Sequence, residues 1–248
     1  HTNIGAGRVV SMDLGQIDLA IEEGSFAANP PLQDFIETLR ASGGTAHLMG
    51  LVSDGGVHAH LSHMVAAVRA LHAAGVPVVI HALTDGRDVA PRSALGYLET
   101  VQAALPDGVR IVTLTGRYFA MDRDNRWDRV ARAYGAIARA EGLNVRTARD
   151  AVEMAYGRGE DDEFIQPTVI GDYSGAGDGD GFFCLNSRAD RAREIMAALG
   201  DSGFDHFDTG RRARWAALMG MAQYSSEHTA YMSTMYPKPE LVNTLGAW

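Results

Sequence analysis

Two residue types are nearly missing from this chain of 248 residues, which has one cysteine and one lysine. The lone Cys184 excludes an internal disulfide and fits a reducing compartment, with the cytoplasm as the default. No run approaches the roughly 18–20 uninterrupted apolar residues of a membrane-spanning helix, and HTNIGAGRVV has no basic stretch leading into an apolar one. The chain therefore reads as soluble and unexported. The lack of lysine removes a G-x-x-x-x-G-K-[ST] phosphate loop; no G-x-G-x-x-G opens a helix after a strand, and G-x-S-x-G is missing. No nucleophile stands beside a base. Positive charge is itself in deficit, 22 Lys+Arg against 31 Asp+Glu for a net charge of −9, which argues against nucleic acid or an anionic membrane as partner.

What is present is ordinary in bulk and unusual in one respect. A composition 46% hydrophobic and 21% charged belongs to a folded α/β or α+β protein and excludes a disordered or collagen-like chain. Apart from Lys238, every basic side chain among those 22 is arginine. A bias toward Arg, Ala and Gly accounts for most of them, yet arginine is also the planar, always charged, bidentate binder of carboxylate and phosphate.

From Pro30 onward helical and strand-like segments alternate. PPLQDFIETLRASGG has a helix-start proline, apolar residues at spacings of three and four, and a closing glycine pair. AHLMGLV, VPVVIHAL and VRIVTLT read as buried strands, separated by helical HLSHMVAAVRALHAAG and RSALGYLETVQAAL; RWDRVARAYGAIARAEG follows as a helix, and PTVIGD and GFFCLN supply further strands. This alternation predicts an α/β fold, a parallel-rich open sheet with helices on both faces. The expected organisation is an N-terminal arm over 1–30, one domain over 31–203, and a C-terminal segment over 204–248 in which TGRRARWAALMGMAQYSSEH is at most one more helix. The start at His1 and the end at NTLGAW read as a piece cut from a longer polypeptide.

In an open parallel sheet, ligands sit beyond the carboxyl ends of the strands. That rule selects four loops: SDGGVHAH, TDGRDVAPRS, TGRYFAMDRDNR and NSRADR. The first holds His58, His60 and His63, open to three readings: a metal site, satisfied core histidines, or substrate hydrogen bonding by His58. The second sets Arg87 beside Asp88, either a local ion pair in a turn or a cation for an anion next to an acceptor for a hydroxyl. In the third, Arg117 and Arg123 precede the helix and are the ligand candidates, whereas Arg126, Asp128 and Arg129 read as solvated pairs. In the fourth, Arg188 and Arg191 are placed in the first turn of a helix, where cations oppose the macrodipole unless an anion binds there. The run Asp178-Gly-Asp180-Gly lacks the remaining ligands of a calcium loop and reads as a turn.

HTNIGAGR, LVSDGGVHAH, HALTDGRDVAPRSA, TGRYFAMDRDNRWDR, DEFIQPTVI and NSRADRARE, in this order, closely resemble the cofactor-independent phosphoglycerate mutases, in particular their inserted phosphotransferase domain. The resemblance implies substrate binding by His58, Arg87, Asp88, Arg117, Arg123, Arg188 and Arg191, with Asp88 the candidate acid/base, in the interconversion of 3-phosphoglycerate and 2-phosphoglycerate without 2,3-bisphosphoglycerate. It also implies a monomer, and a missing phosphatase-like domain of the alkaline phosphatase superfamily that carries a nucleophilic serine and two manganese ions. No metal is expected in this piece, which would be inactive alone. The alternative is a non-catalytic module that binds a phosphorylated metabolite. One departure stands in the last motif, where Ser187 replaces the phenylalanine common in the family.

Overall fold

Local chemistry sets most element boundaries across residues 13–237, which the computed structural model describes. The HTNIGAGR motif and Lys238 lie outside the described residues. Part of the expected N-terminal arm is helix α1 (Asp13–Glu22). Helix α2 (Pro30–Ser42) begins with prolines, where a missing N–H costs little, and buries Leu32, Phe35, Ile36 and Leu39. Gly43, at φ 70°, closes it by donating its N–H to the Leu39 carbonyl.

The chain then alternates through β1 (Ala46–Leu51), α3 (Leu61–Ala73), β2 (Val78–Thr84), α4 (Ala94–Ala104) and β3 (Arg110–Gly116). The single turn α5 (Arg117–Ala120), α6 (Trp127–Arg139), β4 (Leu143–Val145), α7 (Ala148–Gly157), β5 (Thr168–Ile170) and β6 (Gly181–Cys184) follow. Helix α8 (Arg193–Gly200), β7 (Ala217–Ala222) and β8 (Ser233–Tyr236) complete it. The eight strands form one sheet in the order β4-β5-β3-β2-β1-β6-β7-β8. Every neighbouring pair is parallel except β3 with β5.

Both faces of the sheet are covered, which is why its central strands are continuously apolar. Phe183 joins Leu48, Val68, Ile80 and Leu98 on one side, and its neighbour Phe182 joins Leu51, Ile137 and Ile195 on the other. The α/β expectation holds, and one reading within it changes in the C-terminal part. The segment read as one more helix contains β7 and β8 instead, and β7 pairs in parallel with β6, from Gly181↔Ala217 to Cys184↔Gly220. A strand buried on both faces has no period-two alternation, so ALMGMA cannot be told from a buried helix by pattern.

One glycine shapes the sheet end that matters for function. A Cβ on Gly116 would fall on the Glu163 carbonyl oxygen and the Ile165 amide nitrogen. Its absence lets residues 162–165 run against the end of β3, where Gly116 donates its N–H to the Ile165 carbonyl at 2.8 Å. Asp162, carried there, accepts the N–H groups of Ser93 (2.8 Å) and Ala94 (3.0 Å) at the start of α4.

Across β3, β2 and β1 runs a buried polar chain. His81 contacts Thr113 Oγ1 through Nδ1 (2.8 Å) and His47 Nδ1 through Nε2 (2.9 Å), and His47 Nε2 meets Asp180 Oδ2 at 3.1 Å. Burial, then the neighbouring His47, holds His81 well below the usual imidazole value. Burial likewise lowers His63 against the pull of Asp18. A histidine lowered in this way binds its proton in the unfolded chain first, so its contribution is intact above about pH 6.5 and is lost as pH falls below that value, at ~1.4 kcal/mol per pH unit for each. Glu194, a carboxyl raised to about 7, acts in the opposite sense over the same window and offsets part of the loss. Urea denaturation is therefore expected to show lower stability at about pH 5.5 than at about pH 7, with a shallower slope in His81→Gln. Equal slopes for the two proteins would contradict this assignment.

Candidate functional site

Strand β1 lies between β2 and β6, so the chain proceeds through β1, β2 and β3 in one direction and resumes at β6 on the other side. The loops after β1 and β6 part at that switch point and open a crevice at the strand ends. Two hydrogen bonds bridge it: the N–H and the Oγ of Ser187 both donate to the His58 carbonyl, at 2.7 and 2.9 Å. Ser187, the departure from the family pattern, thus adds a bond that phenylalanine cannot make.

Beneath the crevice, Asp85 is only 2% exposed and is bonded to three loops. Its Oδ2 accepts from Ser53 Oγ at 2.7 Å, after β1. Its Oδ1 accepts the N–H groups of Arg87 (3.2 Å) and Asp88 (3.0 Å), closing the turn after β2 on its own side chain. The same oxygen accepts Arg117 Nη1 at 2.7 Å, after β3. Burial works against the charge, but these donors hold the Asp85 carboxyl below its ordinary value. Arg117 is equally buried, and its Nη1 also donates to Asp88 Oδ2 at 2.6 Å. Burial opposes its charge too, and the two carboxylates outweigh it and raise its pKa. An aspartate followed by Gly-Arg-Asp, as at Asp85, is the sequence signal of a side chain that bonds its own loop.

The other candidate arginines gather around this pair. Arg87 Nε lies 3.2 Å from Glu163 Oε1, Arg123 Nη1 donates to Asp190 Oδ2 at 3.0 Å, and Arg188 Nε lies 3.8 Å from Asp190 Oδ1. Arg191 differs: it donates to the Met121 carbonyl at 3.0 Å and, among the described residues, has no carboxylate within ion-pair distance. Burial, then the charges of Arg123, Arg117 and Arg87, lowers its pKa, the signature of converging cations. Arg87, Arg117 and Arg191 line one cleft of about 400 Å³, its open mouth included, together with Tyr118, Asp122, Asp124, Arg129 and Glu163. His58 is buried beside them and is pushed down to about 4 by burial, then by Arg117 and Arg188, so its imidazole is neutral at neutral pH. Its Nδ1 has no partner among the described residues.

Two expectations change, and the histidines, left open above, are placed. Arg188 and Arg191 are not in the first turn of α8: Arg188 precedes and Arg191 ends a three-residue 3-10 turn, Ala189–Arg191, and α8 starts at Arg193. Arg129 is not a solvated pair partner; it contacts Asp122 Oδ1 at 3.2 Å and lies 3.8 Å over the Tyr118 ring, on the cleft wall. The histidines of the first loop have separate partners. His63 Nε2 contacts Asp18 Oδ1 at 2.7 Å, while the His60 ring accepts Ser62 N–H and starts α3. Among the described residues, no group of three His, Cys, Asp or Glu side chains is placed to hold a metal ion. Asp178 pairs with Arg211 and Arg214, in keeping with a turn.

The family model described as BPG-independent PGAM N-terminus matches residues 17–226. Across its whole length the chain is 73% identical to a 2,3-bisphosphoglycerate-independent phosphoglycerate mutase from Roseobacter denitrificans and 66% identical to one from Paracoccus denitrificans, spanning 49% of each. Among solved structures, a phosphoglycerate mutase of Leishmania mexicana, crystallised at low cobalt concentration, is similar with a TM-score of 0.89 and 27% identity, over 98% of this chain and 47% of that one. The chain therefore spans about half the length of the curated relatives it matches.

The geometry separates two kinds of arginine site. Asp85→Asn removes the charge that compensates a buried guanidinium, and a loss of about 2–4 kcal/mol in urea denaturation is expected. Arg191→Gln removes a cation crowded by like charges and is expected to leave stability within about 0.5 kcal/mol of the parent or to raise it. The reverse order of the two effects would overturn the assignment.

Proposed function

This chain belongs to the BPG-independent phosphoglycerate mutase family, and from that membership we propose that it is the half of the enzyme that holds a phosphoglycerate while the phosphoryl group moves between the two hydroxyls of 3-phosphoglycerate and 2-phosphoglycerate. The observation that carries this reading is the convergence of Arg87, Arg117 and Arg191 on one cleft, from the ends of three strands, with neutral His58 and Asp88 beside them.

Each residue type fits a part of the ligand. Guanidinium groups grip phosphate and carboxylate in two-pronged fashion, and a cation such as Arg191, with no carboxylate partner among the described residues, gains most when an anion arrives. Arg87, Arg123 and Arg188, tethered to Glu163 and Asp190 at half-exposed positions, can exchange a carboxylate for the ligand at little cost. A neutral imidazole can donate to or accept from a hydroxyl without adding charge. Asp88 gives Oδ2 to Arg117, which leaves Oδ1 to accept the proton of a substrate hydroxyl and return it to the other. Holding both ends of a three-carbon acid lets it turn without escaping, which keeps the second step effectively unimolecular.

The serine that carries the phosphoryl group and the two manganese ions that activate it are assigned by the resemblance to the rest of the full-length protein. Among the described residues no such metal set is formed, and on this reading their part is to bind, orient and move a proton. No helix among the described residues is long and apolar enough to cross a membrane. A monomeric cytoplasmic enzyme is the setting that fits this reading.

Calorimetry with 3-phosphoglycerate should detect weak binding by the 248-residue chain. Arg188→Ala with Arg191→Ala is expected to weaken it by about tenfold or more, the loss of at least ~1.4 kcal/mol. Equal affinity for parent and double variant would count against the site. In a coupled assay that consumes 2-phosphoglycerate, the isolated chain should show no turnover; activity there would contradict the division of labour proposed.

A further inference from the structure

Arg129 borders the anion cleft, yet neither the strand-end rule nor the resemblance assigns it a part. It stands in the first turn of α6, where a cation opposes the helix dipole, and its side chain is 19% exposed against 54% for Arg126 just before the helix. Two contacts hold it there. Its Cζ lies 3.8 Å from the centre of the Tyr118 ring, which is itself braced by Phe119 and Phe164, with ring centres 5.2 and 5.0 Å away. Its Nη1 donates to Asp122 Oδ1 at 3.2 Å. The attraction of a cation to a ring face is to the ring's quadrupole and uses no N–H, so the five donors of the guanidinium stay available to acceptors.

Asp122 cannot occupy them all. Its Oδ2 accepts the N–H groups of Asp124 (3.0 Å) and Arg126 (2.9 Å), which leaves Oδ1 for Arg129. Arg117 shows the contrast: it meets two carboxylates, and its Nε is sealed from solvent without a partner. Among the described residues, no nitrogen of Arg129 is sealed in that way. Its spare donors therefore stay accessible, and the space beside them is the cleft shared with Arg87, Arg117 and Arg191. Ring and carboxylate fix the guanidinium before any ligand arrives, so little side-chain entropy is lost on binding.

We propose that Arg129 is a ligand-contacting residue of the cleft, a fourth guanidinium that Tyr118 and Asp122 hold ready to donate to an anionic oxygen of the bound molecule. The proposal takes phosphoglycerate as that molecule from the reading above; the contact itself is expected for inorganic phosphate as well.

Titration calorimetry of the 248-residue chain with inorganic phosphate and with 3-phosphoglycerate tests it. Arg129→Gln should bind each anion about tenfold more weakly than the parent. Arg126→Gln removes the same charge from an exposed position and should stay within about twofold. Equal losses in the two variants overturn the proposal, because net charge then explains both. Since Asp122 is buried beside Arg129, a second comparison separates contact from support. Added to Asp122→Asn, Arg129→Gln should still cost about tenfold; a loss that disappears in this background makes Arg129 a prop for Asp122 and overturns the contact. Arg129→Lys keeps a charge for Asp122, and with it the fold, but not the planar fork over Tyr118, and should bind about fivefold more weakly; parental affinity there also overturns the proposal. Phosphate binding that falls about tenfold in Arg129→Gln, with 3-phosphoglycerate bound no more tightly than phosphate, defeats the phosphoglycerate reading and leaves the Arg129 contact standing. A parent chain that binds neither anion overturns both.

Discussion

Asp85 and Arg117 are taken out of water together, and the rest of the strand ends is arranged around the cost of doing so. A buried ion pair contributes little net stability, because desolvation consumes most of the Coulomb gain, but it is intolerant of a missing partner. Asp85 therefore has a full set of donors, from Ser53, Arg87, Asp88 and Arg117, drawn from the ends of β1, β2 and β3. Loops that would otherwise be the most mobile part of an α/β domain are held by one carboxylate. Under the proposed function this has a use, because Asp88 and Arg117 arrive already oriented.

Around that rigid floor the charges are only loosely compensated. Arg87, Arg123 and Arg188 lean on Glu163 and Asp190 at half-exposed positions, where an ion pair is worth little, while Arg191, among the described residues, has a carbonyl and no carboxylate. The site is thus graded from a fixed interior to an exchangeable rim. Such a gradient suits a ligand that must be gripped at two ends and then turned: the floor supplies orientation, and the rim supplies cations whose present partners are cheap to displace. His58 completes the gradient as a ring that burial, then the Arg117 and Arg188 charges, keep neutral, able to meet a hydroxyl without adding to the positive field.

The same arrangement explains how an acidic protein can serve an anionic ligand. Net charge governs solubility and long-range steering, whereas binding depends on the few charges within reach of the ligand. The convergence of like charges is visible in the lowered pKa of Arg191. The carboxylates that offset them at the rim limit the field to the cleft. Ser187 contributes at the same place, since its two bonds to the His58 carbonyl hold the two sides of the switch point together.

The alternation of helices and strands, the α/β class and the four loops were legible in the linear order of residues, because each rests on local periodicity and on the rule that places ligands at strand ends. The motifs that resemble the phosphoglycerate mutases were legible for the same reason: they are short and contiguous, and they named His58, Arg87, Asp88, Arg117, Arg123, Arg188 and Arg191 by residue type and position. Tertiary structure alone decided what each of these side chains touches. Asp85 meets Arg117 across 32 positions, and Glu194 meets Asn125 across 69, distances at which no pattern operates. It also decided β7 and β8, since a strand covered on both faces looks like any apolar run until its neighbour β6 is in place. Local chemistry specifies elements and candidate groups; which of them share a proton, a charge or a ligand is settled only when the sheet brings distant loops to one edge.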